Sequence, residues 1–147
     1  MGNAQMTKTV VLTCEKPREE TAVTAAFGYE LLLDLYDCPP GICDDLALSY
    51  KFLDEIVGYL GMEKQAPPNI FFTDGQRFPD KAGLSGWAPL VESSIVIHTL
   101  SPKNFISIDI YCCKRFDIEK AKSFVRRFFS PKRLDAQFVL RGKDYYK

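Results

Sequence analysis

Apolar residues along this chain recur with two different periods, which predict two kinds of element. Alternating or continuous apolar runs typical of strands occupy residues 29–36, 70–72, 87–91, 95–100, 105–113 and 136–140. Residues 46–60 and 118–129 instead place apolar side chains three or four positions apart, as an amphipathic helix does. The expected buried positions are Leu46, Tyr50, Leu53, Ile56, Val57 and Leu60 in the first helix, and Ile118, Ala121, Val125 and Phe128, beside Phe124 and Phe129, in the second.

Polar residues mark the ends of both helices. Asp44 or Asp45 precedes the first helix and Asp117 the second, where a carboxylate can accept hydrogen bonds from free backbone N–H groups. Gly61 follows the first helix as a C-terminal cap, and Ser130 ends the second ahead of Pro131.

The order strand, helix, several strands, helix, strand predicts an α+β two-layer sandwich. In this fold both helices pack on one face of a mostly antiparallel sheet. The other sheet face then needs a cover, and a second subunit is one way to provide it. The domain is expected to span residues 27–147, after an N-terminal extension of residues 1–26 that includes a short strand at 7–13.

Composition narrows the function classes. The 147 residues suit one domain, and a 46% hydrophobic content supports a real core. Lys plus Arg and Asp plus Glu both number 19, so the zero net charge argues against a nucleic-acid or membrane-surface binder. The sequence has no apolar run long enough for a membrane span and no secretory signal, so we expect a cytoplasmic protein. Five cysteines without metal-ligand spacing, and a single histidine, predict reduced thiols and no metal site.

One polar step interrupts the apolar runs near the middle of the chain. Glu92, Ser93 and Ser94 separate two strand segments, and His98, the only histidine, lies just beyond them. An exposed turn beside a satisfied core histidine would explain this pattern. A reactive site would explain it equally, because histidine exchanges a proton near neutral pH. Upstream, residues 74–85 form a predicted loop whose ending at Gly83–Gly86 would let backbone approach a substrate closely.

The same residues resemble a family motif. Prokaryotic S-adenosylmethionine decarboxylases carry Glu-Ser-His-Ile-x-Ile-His-Thr, and this chain reads Glu-Ser-Ser-Ile-Val-Ile-His-Thr over 92–99. The family continues with an Asp-x-Phe-Thr-Cys strand, which resembles Asp-Ile-Tyr-Cys-Cys at 109–113. The resemblance covers roughly residues 27–141, and the spacings from Ser93 to His98 and to Cys113 match without gaps.

The resemblance implies a pyruvoyl-dependent decarboxylase of polyamine and spermidine biosynthesis, made as a proenzyme. Self-cleavage between Glu92 and Ser93 would leave a β chain ending at Glu92 and an α chain starting at Ser93, which becomes the pyruvoyl group and forms a Schiff base with the substrate amine. Ser85 and Glu92 would support processing and substrate, while His98 would take the α-hydrogen of Ser93 and Cys113 would protonate the product. Phe78 and Asp109 are further substrate-binding candidates. Family members of this size form homodimers, with two sheets facing each other in αββα layers.

Three departures from the family pattern leave the substrate open. The family glutamate that contacts the ribose hydroxyls corresponds to Pro102, and the aromatic residue that stacks on adenine corresponds to Pro79, with Phe78 adjacent. Ser94 replaces the histidine after the cleavage serine. The alternatives to S-adenosylmethionine are therefore ornithine or arginine as substrate, or an unprocessed regulatory homologue.

The spacing of Ser93 and His98 carries a geometric prediction. The two residues are five positions apart, so a regular strand would aim them at opposite faces. We therefore predict a bulge or bend near Ser93 and Ser94.

Overall fold

A computed structural model describes residues 26–147 of the chain. The strand predicted at 7–13 lies outside these described residues. Within residues 26–147 no helix is long and apolar enough to cross a membrane.

The described chain forms one antiparallel sheet and two helices. In chain order the elements are β1 Gly28–Tyr36, α1 Leu46–Tyr59, β2 Asn69–Thr73, β3 Gly83–Leu90, β4 Ser93–Leu100, β5 Phe105–Cys112, α2 Ile118–Phe129 and β6 Arg133–Arg141, with short 3-10 helices at Ile42–Asp44, Pro79–Lys81 and Ser101–Lys103. The strand order is β2-β3-β4-β5-β1-β6, and each neighbouring pair is antiparallel. The predicted α+β class is confirmed.

Both helix starts follow the capping prediction. The Asp45 carboxylate accepts a hydrogen bond of 2.8 Å from the Leu48 N–H, and Asp117 accepts one of 2.9 Å from the Lys120 N–H. After α1, Gly61 adopts a φ of 71°, the left-handed conformation that lets the chain leave the helix.

The core lies between the helices and one face of the sheet. The sheet supplies fully buried aliphatic side chains, namely Leu31, Leu33, Leu35, Ile95, Ile97, Ile106, Ile108 and Ile110. Phe52 of α1 is their aromatic counterpart, and its ring lies 4.8 Å from that of Phe129 in α2. The two helices therefore share one apolar layer over the sheet.

The buried stripe predicted for α1 is partly wrong. Leu46 and Tyr50 are 49% and 39% exposed, whereas Phe52 and Ser49 are fully buried. The ring of Phe52 packs against α2, so the buried face of α1 includes the side facing the second helix as well as the sheet. Periodicity gives the width of a stripe, but the neighbouring element fixes its direction.

The opposite sheet face, called the open face below, carries no helix from residues 26–147. Its side chains are those that alternate with the core positions, including Ser85, Trp87, Val96, His98, Ser107, Asp109 and Leu32. The ladder places Trp87, Val96, Asp109 and Leu32 side by side across four strands. Trp87 is 47% exposed, so the open face presents apolar area beside its polar groups.

The predicted loop over Gly83–Gly86 is wrong, because these residues form the first half of β3. A Cβ on Gly83 would lie 2.1 Å from the Thr99 carbonyl oxygen, and Gly83 has a φ of 147°. The Thr99 hydroxyl accepts a hydrogen bond of 2.8 Å from the adjacent Leu84 N–H. Glycine here serves the close approach of two strands, which the sequence alone does not distinguish from a flexible loop.

Candidate active site

A tight hairpin carries the polar step. Strands β3 and β4 are joined by the two residues Val91 and Glu92, with Leu90 paired to Ser93. Ser93 has a φ of 148°, a conformation that L-residues other than glycine rarely adopt. The structure thus places an unfavourable backbone angle directly after the Glu92–Ser93 peptide bond.

Of the predicted bulge or bend near Ser93 and Ser94, the bulge is wrong, whereas the backbone at Ser93 does depart from regular strand geometry. Ser93 pairs with Cys112 and Ser94 with Tyr111, and the register continues without an extra residue to Leu100. A ladder that pairs on both sides of β4 leaves no room for an inserted residue. The distortion is confined to the φ angle of Ser93.

Glu92 is held at both its side chain and its carbonyl. One carboxylate oxygen accepts a hydrogen bond of 3.1 Å from the Glu63 N–H, and the other accepts one of 3.1 Å from Lys114 Nζ. The Glu63 N–H and, after it, Lys114 hold the pKa of Glu92 below its ordinary value. The Glu92 carbonyl oxygen accepts a hydrogen bond of 2.9 Å from the Cys113 N–H. Only 7% of Glu92 is exposed, so these contacts satisfy a buried charge.

Ser85 and His98 form a second polar group on the open face. They stand opposite each other on β3 and β4, and the Ser85 hydroxyl lies 3.0 Å from His98 Nδ1. His98 is exposed, so its interpretation as a core histidine is wrong. A cavity of about 480 Å³ opens beside the pair, lined by Thr73, Phe78, Lys81, Ser85, His98, Thr99 and Leu100. The candidate Phe78 therefore lies in the same cavity as Ser85 and His98.

Asp109 occupies the open face one row away from His98. It pairs with Val96 on β4 and Leu32 on β1. Burial first, and then the nearby Glu30 carboxylate, raise the pKa of Asp109 above its ordinary value, while His98 opposes this shift. Asp109 is thus a carboxylate that would gain from a cationic neighbour.

The candidate residues fall into two groups in one chain. Glu92, Ser93 and Cys113 lie together at one end of β4, while Ser85 and His98 lie together further along the sheet. Ser93 and His98 are five positions apart along the strand, or about 16 Å at the usual rise. A proton transfer needs a heavy-atom separation of about 3 Å. His98 therefore does not reach Ser93 of its own chain.

The four described cysteines are free thiols in different surroundings. Burial raises the pKa of Cys38 to about 11. Burial is also the main cause of the raised pKa values of Cys43 and Cys112. Cys113 is only half-buried, just past the end of β5. It is the most accessible of these thiols for chemistry at the hairpin. Among residues 26–147, no cluster of three or more His, Cys, Asp or Glu side chains could hold a metal ion.

Sequence reasoning did not identify Glu63 and Lys114 as part of the site. Lys114 directly follows the candidate Cys113, and this adjacency is the one feature of the sequence that could have indicated its place near the site. Glu63 acts through its backbone N–H, and backbone groups leave no trace in residue identity. Only the folded chain shows that both meet Glu92.

Comparison with known proteins gives this geometry a family context. The family profile described as S-adenosylmethionine decarboxylase matches residues 29–142. Two bacterial proteins named S-adenosylmethionine decarboxylase proenzyme are similar to the chain. The one from Clostridium botulinum strain Langeland is 27% identical over 79% of this chain and 95% of its own length. The one from Persephonella marina is 30% identical over 78% of this chain and 82% of its own length.

A solved structure agrees with the fold. The crystal structure of the adenosylmethionine decarboxylase from Aquifex aeolicus is similar to this chain with a TM-score of 0.66 and 25% identity. The match covers 80% of this chain and 92% of the other. The family profile spans most of the described sheet and both helices, including the hairpin and the Ser85–His98 pair. The chain belongs to the S-adenosylmethionine decarboxylase family.

Proposed function

We propose that this protein is a cytoplasmic proenzyme that cleaves itself between Glu92 and Ser93 and then decarboxylates S-adenosylmethionine for polyamine synthesis. The observation that carries the proposal is the geometry of the peptide bond between Glu92 and Ser93. Its carbonyl oxygen accepts the Cys113 N–H, and the following Ser93 has a φ of 148°. The free thiols suit the reducing cytoplasm.

The first step is an acyl shift within the hairpin. The Ser93 hydroxyl attacks the Glu92 carbonyl carbon, the bond from that carbon to the Ser93 nitrogen breaks, and the hydroxyl proton passes to the nitrogen. Negative charge develops on the carbonyl oxygen, where the Cys113 N–H already donates at 2.9 Å. The unfavourable φ of Ser93 raises the energy of the amide, which favours leaving it.

The second step releases the two chains. A base takes the α-hydrogen of Ser93, and the bond from its Cβ to Oγ breaks. Glu92 leaves as a carboxylate at the end of the β chain. Water then replaces the nitrogen of the remaining residue, with loss of ammonia, to leave the pyruvoyl group. We assign His98 as the base, held by its 3.0 Å contact with Ser85.

The separation of the two groups implies that the site is shared between subunits. Two open faces packed together in αββα layers, as the family resemblance implies, would bring His98 of one protomer to the hairpin end of its partner, where the φ of 148° takes Ser93 out of regular strand geometry. The exposed Trp87 and the row of side chains beside it supply apolar area for such an interface. The composite site also explains why Ser85 and His98 pair far from the bond they serve.

Complementation between two inactive variants tests the shared site. Ser93→Ala removes the nucleophile but keeps His98, and His98→Ala does the reverse. In a coexpressed mixture, the His98→Ala chain is expected to be cleaved, because its intact Ser93 meets the partner's His98. Each variant alone is expected to remain uncleaved or to stop at the ester. A mixture in which neither chain is cleaved would show that the site is not shared.

The residues around position 93 fit a pyruvoyl group. Ser93 supplies its carbon atoms, and the hairpin end leaves it half-buried, beside Cys112 and close to the Cys113 backbone. Once formed, the pyruvoyl group supplies an electron sink for loss of carbon dioxide from an amino acid bound through its amine. The Cys113 thiol then gives a proton to the α-carbon of the product.

The cavity beside Ser85 is proposed to take the adenosine part of the substrate. Phe78 is 42% exposed there and presents a ring for stacking on the base. Lys81 lines the same cavity and disfavours the cationic side chains of ornithine and arginine. Asp109 on the open face has a raised pKa, and a positive sulfonium beside it would favour its ionised form.

Intact mass of the purified protein tests self-cleavage. Two chains divided between Glu92 and Ser93, with a pyruvoyl mass on the second, are expected from the wild type. Ser93→Ala is the matched control and is expected to give one chain. A wild-type chain that stays whole would instead support the unprocessed regulatory homologue.

Product analysis tests the substrate. The cleaved protein is incubated separately with S-adenosylmethionine, ornithine and arginine, and released carbon dioxide and amine are measured. Decarboxylation of S-adenosylmethionine alone supports the proposal. Decarboxylation of ornithine or arginine instead would indicate that the replacement of the family glutamate by Pro102 accompanies a change of substrate.

A further inference from the structure

We propose that Lys114 is a positioning residue for self-cleavage, which anchors the Glu92 side chain so that the Glu92 carbonyl stays on the Cys113 N–H. This inference rests on the proposed cleavage at Glu92. It adds a residue that is absent from the motif and whose side chain hydrogen-bonds to Glu92.

Two consecutive residues bind the backbone carbonyl and the side-chain carboxylate of Glu92. The Cys113 N–H binds the Glu92 carbonyl at 2.9 Å, and Lys114 Nζ binds its carboxylate at 3.1 Å. The two residues that follow β5 therefore hold both the backbone carbonyl and the side chain of Glu92. Rotation of Glu92 that would move its carbonyl away from the Cys113 N–H would also pull its carboxylate from Lys114.

Glu63, in the segment after α1, provides a further pair of contacts to the hairpin turn. The Glu63 N–H donates to the other carboxylate oxygen of Glu92 at 3.1 Å, and the Glu63 carbonyl accepts the Val91 N–H at 3.0 Å. Glu63 thus fixes both turn residues of the hairpin. The side chain of Glu92 is 8% exposed, so without these partners its buried charge would favour turning out to water.

The exposure of Lys114 separates positioning from folding. Its side chain is 72% exposed, so its removal takes away little packing. An exposed lysine whose contact is a buried carboxylate in the scissile turn is well placed to affect cleavage without affecting the core. A lysine that acted only on stability would shift the unfolding temperature and leave the cleavage rate unchanged.

The test follows cleavage after synthesis of the full chain in a cell-free system, measured by intact mass over time. Lys114→Ala is expected to be cleaved about fivefold more slowly than wild type, the upper end of the range for a surface ion pair, because the Glu92 carboxylate is buried. Lys114→Arg, which keeps the charge, is expected to restore most of the rate. Lys51→Ala is the matched control, because it removes an ion pair to Glu55 on the exposed side of α1, with side chains 63% and 46% exposed. Its cleavage rate is expected to equal that of wild type.

The pH dependence of cleavage gives a second readout. Lys114 is the cation that faces Glu92, and the Cys112 and Cys113 thiols are the other titratable groups beside it. Loss of Lys114 removes one of the groups that keep Glu92 ionised, so the acid limb of the cleavage rate is expected to move to higher pH. Removal of a merely structural lysine would leave this limb in place.

The outcomes distinguish the inference from the function on which it rests. If the wild type is not cleaved, the proposed function fails. If the wild type is cleaved and Lys114→Ala is cleaved at the same rate with the same acid limb, the positioning role is overturned and self-cleavage stands. Equal slowing of Lys51→Ala would likewise overturn it, because any loss of an ion pair would then suffice. Should Lys114→Ala fail to fold, Lys114→Gln replaces it in the same comparison.

Discussion

Backbone strain at Ser93 can be measured by comparing two variants that both block cleavage. Ser93→Ala and Ser93→Gly lack the nucleophilic hydroxyl, so both chains remain whole. Ala must keep a Cβ at the observed φ of 148°, whereas Gly adopts this angle without steric cost. The two variants therefore differ in the strain and in little else that contacts Ser93.

The size of the difference follows from two opposing terms. A non-glycine residue in a sparsely populated backbone region costs about 1–3 kcal/mol. Glycine loses more conformational entropy on folding, which offsets about 0.5–1 kcal/mol of that gain. The two terms together leave Ser93→Gly more stable than Ser93→Ala by roughly 0–2.5 kcal/mol, with a central expectation of about 1 kcal/mol. For a domain of this size, about 1 kcal/mol raises the melting temperature by roughly 3–5 °C.

The assay is thermal and urea unfolding of both variants under the same buffer and protein concentration. The protein concentration is fixed because dimer formation would shift both melting temperatures. Equal stabilities, or a more stable Ser93→Ala, would refute the reasoning that the scissile residue is strained. The acyl shift would then have to be driven by the Cys113 N–H and the base without help from the backbone.

Two further substitutions test the sheet that positions the site. Gly83→Ala would place a Cβ 2.1 Å from the Thr99 carbonyl oxygen, so it is expected to destabilise the fold by about 3 kcal/mol or more in urea unfolding, and a near-wild-type value would contradict the tight strand contact. Asp109→Asn is expected to remove part of the pH dependence of the free energy of unfolding. Burial and Glu30 raise the pKa of Asp109, so its ionisation opposes folding and wild-type stability is lost as the pH rises through that pKa. Urea unfolding from below the ordinary Asp pKa of about 3.9 up to neutral pH would show a smaller decline in the variant, and an unchanged slope would mean that Asp109 is not the group responsible.

Local patterns predicted much of the fold because their causes are local. The alternation of Ile106, Ile108 and Ile110 against Asp109 identified the two faces of β5, since successive strand residues point to opposite sides. Asp45 and Asp117 were predicted as helix caps because a carboxylate beside free N–H groups forms the contact within a few residues.

Features that depend on distant neighbours were predicted less well. The buried face of α1 turned toward Phe129, which lies far along the chain, and this contact left Leu46 exposed. Gly83 was predicted in a flexible loop because glycine freedom and a close strand contact leave the same residue in the sequence. Both errors come from contacts between residues that are far apart in the sequence, which local patterns do not reveal.

The sequence by itself determined the candidate chemistry, because Glu92, Ser93, His98 and Cys113 carry the needed groups at matching spacing. Tertiary structure decided how those groups are arranged. A continuous antiparallel register kept Ser93 and His98 about 16 Å apart and moved the distortion into one φ angle. Side-chain identity specifies what a residue can do, whereas long-range pairing of strands fixes which groups meet. That pairing also brought Glu63 and Lys114 to the scissile turn.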